Sequence, residues 1–311
     1  MRKIFMTAVA LLFCALTMMA QDGEAERNKM YRVTLGKIQY AHHNEKMSTN
    51  DAVGKALTGL VTGKIEVQAT KYESDVKNAI IRGLSSAYRF RYNNLLEVAD
   101  LVGDGNIVAD AEITNIQAKS ETRREYKNYN DLKDVKDIKD INDLKKKENE
   151  TKLTSYYNGI VDMTLTLKDA KTGEVIATPS FSCSGSGNSD NSTVDKAIRG
   201  AINRLSGQIS SWLNKYRPLE ANIVEGATAK KDKQKEVYID LGSREGAFPG
   251  LHMNVYLVDD SDGYESTIEV GRLKVEAVEG EDLSRCKIQN GGKDIKACLD
   301  AEAYLKVISV Y

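Results

Sequence analysis

Residues able to do acid–base, nucleophilic or metal chemistry are sparse in this chain. Its 311 residues contain three histidines, His42, His43 and His252, and four cysteines, Cys14, Cys183, Cys286 and Cys298. His42-His43-Asn44-Glu45 offers two imidazoles and a carboxylate, but no third ligand stands at a spacing that would close a metal shell, so the segment reads as a solvated loop. Gly54-Lys55-Ala56-Leu57-Thr58-Gly59 has the glycines of a phosphate loop. It continues as Leu60-Val61, where a lysine and a hydroxyl residue are needed to hold phosphate and magnesium, so no nucleotide is expected. Asp260, Asp262, Gly263 and Glu269 match four positions of a calcium loop, yet its first position is Val258 and its flanks read as strands; a hairpin loop is the simpler reading. The carboxylates show no spacing that singles out an acid/base pair. The residues therefore predict no enzyme, no cofactor and no metal.

The elements that would have to position any site begin with an export signal. Met1 to Ala20 carries Arg2 and Lys3, an uncharged apolar run and a small residue before the polar QDGEAE. This is the pattern of a cleaved signal peptide, with Gln21 as the expected mature start. Cys14 follows bulky Phe13 in mid-run, which argues against lipidation. Export places the remaining cysteines where disulfides persist. Cys286 and Cys298 flank Asn290-Gly291-Gly292, a turn signal for a hairpin, and are the expected pair. Cys183, in SFSCSGSG, has no histidine near it and reads as a strand residue rather than a nucleophile.

Lysine and arginine total 44 against 45 acidic residues. No net basic field exists to hold a nucleic-acid backbone, so nucleic acid is not an expected partner.

Alternation predicts strands over 31–40, 107–117, 157–167 and 174–184, with an extended piece at 89–96. Val76, Ile80, Leu84 and Tyr88 recur at four-residue steps, and Val194 to Trp212 carries a longer 3.6-residue stripe; both read as amphipathic helices laid on a sheet. Asp169, Thr172, Gly173 and Glu174 mark a tight hairpin, with Gly173 at the position that requires positive φ. Pro218 stops the second helix. Beyond it come short strands at 222–224, 236–241, 253–258, 268–278, 284–288 and 303–310, with corners at Gly242, Gly246 and Pro249-Gly250. They suggest a small β-barrel in which no helix is required. Asp131 to Glu150 stands apart, with 13 charged residues in 20 and apolar residues every third position. That step winds its apolar stripe around a helix axis, so the segment is either a solvated excursion or a docking arm for a partner.

This order of elements, with the hairpin Gly159-Ile160-Val161-Asp162-Met163-Thr164-Leu165-Thr166-Leu167-Lys168-Asp169-Ala170-Lys171-Thr172-Gly173-Glu174-Val175-Ile176, resembles the periplasmic domain shared by CsgG, LpoB and the TolB N-terminal domain. The likeness covers roughly residues 31 to 216. The stretch from Val237 to Tyr256, with Gly242, Gly246 and Gly250, and then Val270-Gly271-Arg272-Leu273-Lys274-Val275, resembles the C-terminal SH3-like barrel of FlgT.

The resemblances imply an α+β chain with a signal peptide at 1–20, a mixed-sheet CsgG-like domain at 21–217 that carries a charged insert at 120–153, and an SH3-like barrel at 218–311. They imply a non-catalytic adaptor, exported to the periplasm or the outer-membrane periphery of a Gram-negative bacterium, that binds envelope proteins and possibly copies of itself. Two alternatives stand beside it. A CsgG-type secretion channel would need membrane-spanning hairpins, and the charge density of the insert opposes that; an envelope-polymer hydrolase would have to draw on the scattered carboxylates.

Overall fold

The computed structural model of the chain describes residues 28–41, 64–66, 69–93, 105–125, 152–187, 193–259 and 266–310. The signal segment, His42 and His43, the glycine pair at 54–59, the charged segment 131–150 and Asp260 to Gly263 lie outside the described residues.

Alternating sequence becomes strand throughout. β1 (Tyr31–Tyr40), β2 (Lys64–Glu66), β3 (Phe90–Tyr92), β4 (Asn106–Glu125), β5 (Lys152–Asp169), β6 (Val175–Ala177) and β7 (Ser180–Gly187) form one seven-stranded sheet. Its order is β3-β1-β4-β5-β6, with β2 added to β4 and β7 to β5. β1 and β3 run parallel while β5 runs antiparallel to β6 and β7, so the sheet is mixed. The return strand expected over 174–184 is two strands, because Pro179 falls between β6 and β7 and offers no N–H.

The contacts group the chain into two compact units, residues 34–83 with 108–209 and residues 1–33, 84–107 and 210–311. In the first, helices α1 (Glu73–Ser85) and α2 (Val194–Tyr216, of which residues up to 209 belong here) cover one sheet face. Val76 and Ile80 of α1 and Ile198, Ile202, Leu205 and Ile209 of α2 are fully buried. Opposite them, every odd residue of β5 from Gly159 to Leu167 is buried, the period-two pattern of a sheet covered on one side. Thr193 caps α2: its hydroxyl accepts the Lys196 N–H at 3.2 Å. The helix lies so close to the sheet that only glycine fits beneath it. A Cβ on Gly159 would stand 2.4 Å from the Ala197 carbonyl oxygen, and one on Gly185 would stand 2.2 Å from the Ala201 nitrogen.

The second unit holds a closed barrel of β8 (Glu220–Lys230), β9 (Lys233–Ile239), β10 (His252–Asp259), β11 (Ser266–Val278), β12 (Ser284–Asn290) and β13 (Leu305–Ser309), in the order β10-β11-β12-β9-β8-β13. Val237, Ile239, Met253, Val255, Leu273, Val275, Cys286 and Val307 fill it and are fully buried. Each such side chain contributes about 1.5–3 kcal/mol by leaving water. The buried Ser284 hydroxyl donates to the Leu241 carbonyl at 2.6 Å, so no polar cost is left uncompensated there.

The strand pattern did not announce one element of this unit. Asn290-Gly291-Gly292 does not close a hairpin; it opens a nine-residue helix, α3 (Gly292–Asp300). Gly291 sits at φ 77, and a Cβ there would meet the Val270 carbonyl oxygen at 1.9 Å, so the chain turns in a left-handed conformation pressed against β11. Ile295 of α3 is fully buried in the barrel core.

The boundary expected at 217/218 falls inside the second unit, where residues from well before it are bonded to the barrel. Asn28 donates to the Glu220 carbonyl at 2.6 Å and accepts from its N–H at 2.9 Å. Arg89, 5% exposed, donates to the Lys29 and Pro218 carbonyls, each at 3.2 Å.

Candidate functional site

The hairpin residues marked in the sequence form one turn. The Asp169 carboxylate accepts the Lys171 and Thr172 N–H groups, both at 2.8 Å, and its carbonyl accepts from Gly173 at 2.9 Å. The Thr172 hydroxyl accepts the Glu174 N–H at 3.2 Å, and Gly173 takes φ 74. The Thr172 and Lys171 N–H groups hold the Asp169 carboxyl below the ordinary carboxylate range. All these bonds are internal to the turn, so the motif sets the β5–β6 geometry.

The sheet face away from the helices is polar. Asp110 on β4 receives Lys168 from β5 and the Lys37 N–H from β1, each at 2.8 Å. Burial opposes ionisation of Asp110, but these donors outweigh it and keep its carboxyl below the usual range. Asp162 accepts from Asn115 at 2.8 Å and from the Ser182 hydroxyl at 2.6 Å, which ties β4, β5 and β7 together. Where α1 and α2 begin, Asp195 is bonded by Lys71, Arg199 and Tyr72 at 2.9, 3.0 and 3.1 Å, and Arg199 also reaches Asp75. Lys71 first and Arg199 second pull the Asp195 carboxyl down to about 2. Asp110 and Asp195 are held in ion pairs that fasten one element to another.

Strand β7 forms the long free edge of the sheet, pairing among the described residues with β5 alone. Its exposed side chains are Ser180, Ser182, Ser184 and Ser186. From α2, Arg204 donates to the Ser184 carbonyl and Gln208 to the Ser182 carbonyl, the latter at 3.2 Å. Cys183 lies beneath at 2% exposure, and burial pushes its thiol up to about 11, as expected of a strand residue rather than a nucleophile.

In the barrel, Gly246 and Gly250 take φ 96 and 100 at the corner before β10, and Gly242 has the Glu281 carbonyl oxygen 2.0 Å from where a Cβ would sit. The expected cysteine pair is not formed: Cys286 and Cys298 are both free thiols. The hairpin that would have joined them is replaced by α3, which carries Cys298, while burial pushes the Cys286 thiol up to about 12. His252 is hydrogen-bonded through Nδ1 to the Gln289 amide oxygen at 3.0 Å. A cavity of about 350 Å³ beside the start of α3 is lined by Lys233, Lys235, Asn290, Gly291, Gly292 and Lys293.

The barrel wall also carries exposed apolar side chains that the strand reading passed over. Val224, Ile268 and Tyr304 are 58%, 58% and 55% exposed. Leu305 pairs with Leu257, Leu257 with Ile268, and Lys306 with Asn222, so the three lie at one end of the barrel. The Tyr304 hydroxyl donates to Asn222 at 2.8 Å and fixes that ring on the wall. Among the described residues no three histidine, cysteine or acidic side chains are grouped to hold a metal, and no helix is long and apolar enough to cross a membrane.

No protein-family model matches the sequence, and no curated protein is detectably similar to it. Among solved structures, the chain is similar to a putative neuraminyllactose-binding hemagglutinin homolog from Helicobacter pylori, with 10% identity over 61% of this chain and 83% of that one and a TM-score of 0.31. A protein from Xanthomonas campestris gives 8% identity over 60% and 84% of the two chains, TM-score 0.30. The PelC dodecamer from Paraburkholderia phytofirmans gives 13% identity over 60% and 91%, TM-score 0.24. Likenesses this distant decide nothing about what the chain does.

Proposed function

We propose that the chain is an exported cell-envelope adaptor that acts without catalysis, its CsgG-like sheet domain and FlgT-like barrel binding other envelope proteins or copies of itself at the periphery of the outer membrane. The observation that carries this reading is the exposed apolar end of the barrel. Val224, Ile268 and Tyr304 are large side chains left in water, on strands that also carry the Lys306/Glu220 and Arg272/Glu269 ion pairs. Large apolar side chains left exposed together on a wall that also carries charged residues fit a protein-binding surface. Two binding modules on one chain also combine modest affinities through effective concentration when one assembly engages both.

The test is capture of partners from native envelope extract by the mature protein and by a Val224→Glu/Tyr304→Glu variant. The wild type retains a defined set of envelope proteins, and the variant loses those held by the barrel while keeping its fold. Equal capture by both proteins removes the barrel end from the reading. Reproducible ion conductance in planar bilayers, abolished by deleting residues 120–153, replaces the adaptor with the channel.

A further inference from the structure

An open sheet edge is a template for another strand, and proteins ordinarily blunt it with lysine, proline, a bulge or a very short strand. Among the described residues the other strands of this sheet that pair on one side only, β2, β3 and β6, have three residues each. β7 has eight, SFSCSGSG, with no charge and no proline, and it pairs with β5 from Tyr157/Gly187 to Thr164/Ser180 without a register shift. By every feature of its own sequence it is unprotected.

The direction of its backbone groups is set by one bond. The Leu165 N–H donates to the Pro179 carbonyl at 2.9 Å, which makes 165/179 a hydrogen-bonded pair. In an antiparallel ladder such pairs alternate, so the odd residues of β7 bond to β5 while Ser180, Ser182, Ser184 and Ser186 turn their N–H and C=O groups to the free side. Two of those outward carbonyls, on Ser182 and Ser184, accept hydrogen bonds from Gln208 and Arg204. These two residues stand four apart on α2, one helical turn, and match the two-residue repeat of the strand's outward carbonyls.

We propose that Arg204 and Gln208 form a guard that keeps the β7 edge from pairing with β7 of a second copy of this chain. A second copy is the partner that the edge's chemistry fits. Two such strands meet antiparallel about a two-fold axis, carry no charge to repel one another, and bring small serine side chains opposite each other. Arg204 obstructs this twice over: it occupies a carbonyl that the incoming strand needs, and it sets two guanidinium charges against each other across the axis. The inference goes beyond the adaptor reading, because it concerns a strand pairing that the fold holds off at one sheet edge, and it stands whether or not the barrel captures a partner.

The test compares the full mature chain with its Arg204→Ala/Gln208→Ala variant by light scattering over a concentration series and by amide hydrogen exchange. Both positions are exposed on α2, and alanine suits a helix, so the fold is retained. In the wild type the amides of Ser182, Ser184 and Ser186 exchange as open-edge groups. The variant gains a concentration-dependent dimer, and those same amides slow by roughly ten-fold or more while the odd ones do not change. Gln208→Ala alone moves both readouts the same way with smaller amplitude. Adding Ser184→Pro to the double variant restores the wild-type mass, since that N–H faces away from β5 and proline there leaves the native ladder intact. The proposal is overturned by a double variant with wild-type mass and exchange, by wild-type protein whose even-numbered amides are already protected, or by a dimer that survives Ser184→Pro.

Discussion

In the barrel every strand from β8 to β13 has a neighbour on both sides, whereas in the sheet β7 has one among the described residues. Closure leaves the barrel without an edge strand. The sheet ends in a row of backbone groups that a helix must cover. Both units use glycine in the same two ways: where backbone presses on backbone, as at Gly159 and Gly185 beneath α2 and at Gly242 against Glu281, and where the chain turns with positive φ, as at Gly173 and at Gly246 and Gly250. The difference between the units is the edge, which closure removes from the barrel and which the open sheet keeps at β7.

Substitutions that fill the interlayer spaces should break this contrast most severely. Gly185→Val places atoms where the Ala201 nitrogen and the Ala197 carbonyl stand, 2.2 and 2.3 Å from the first added carbon, and backbone cannot swing aside as a side chain would. A loss of 4 kcal/mol or more, roughly the upper range for point substitutions, is expected in the sheet unit. Urea unfolding followed by hydrogen exchange should show that unit melting while β10 and β11 stay protected. Early loss of protection in both units together would mean that they do not unfold separately.

Truncation in the barrel core comes next. Leu273→Ala removes a fully buried side chain and is expected to cost about 2–5 kcal/mol, with the loss confined to the barrel transition. Turn glycines follow. Gly173 has nothing within 4 Å of a would-be Cβ, so Gly173→Ala is strained by its φ of 74 alone. About 1 kcal/mol is expected, well below Gly185→Val, and a comparison of their midpoints separates backbone strain from steric exclusion.

Smaller again is the effect of staples. A disulfide closing the short loop between Cys286 and Cys298 would be worth about 3 kcal/mol in the chain-entropy model. With both thiols free, Cys298→Ala should cost less than about 1 kcal/mol, and non-reducing peptide mapping should recover the two cysteines separately.

The Asp195 network gives the smallest change and a definite sign. Its folded pKa of about 2 lies below the ~3.9 of an unfolded aspartate, so its contribution is present above pH ~4 and lost as pH falls through about 2. The side chain is 38% exposed, and solvent screening limits the effect to roughly 1 kcal/mol or less. The stability difference between wild type and Asp195→Asn should therefore be constant near neutrality and vanish toward pH 2. A difference that persists at pH 2 would assign the effect to geometry rather than charge.

Most of the strands, though not β2 or the break between β6 and β7, both long helices, the β5–β6 turn and the barrel corners were legible because each is a local pattern. Period two marks a half-buried strand and period 3.6 a covered helix, and Asp169 with Gly173 makes its turn from bonds within six residues. Short-range chemistry of this kind is carried by neighbours in the chain, so reading the chain recovers it.

Tertiary structure alone decided the rest. Asn290-Gly291-Gly292 suits a hairpin or a helix start equally well, and the choice came from the buried slot for Ile295 and the press of Gly291 on Val270. The bonds of Asn28 to Glu220 and of Tyr88 to Asn214 join residues 192 and 126 positions apart, separations that no window of sequence spans. The same holds for Arg204 and Gln208, which look like ordinary solvated helix residues until the fold brings the outward carbonyls of Ser184 and Ser182 within reach. Local periodicity determines which face of an element is buried. Which partner covers that face, and which backbone groups are left open, is a property of the packed chain.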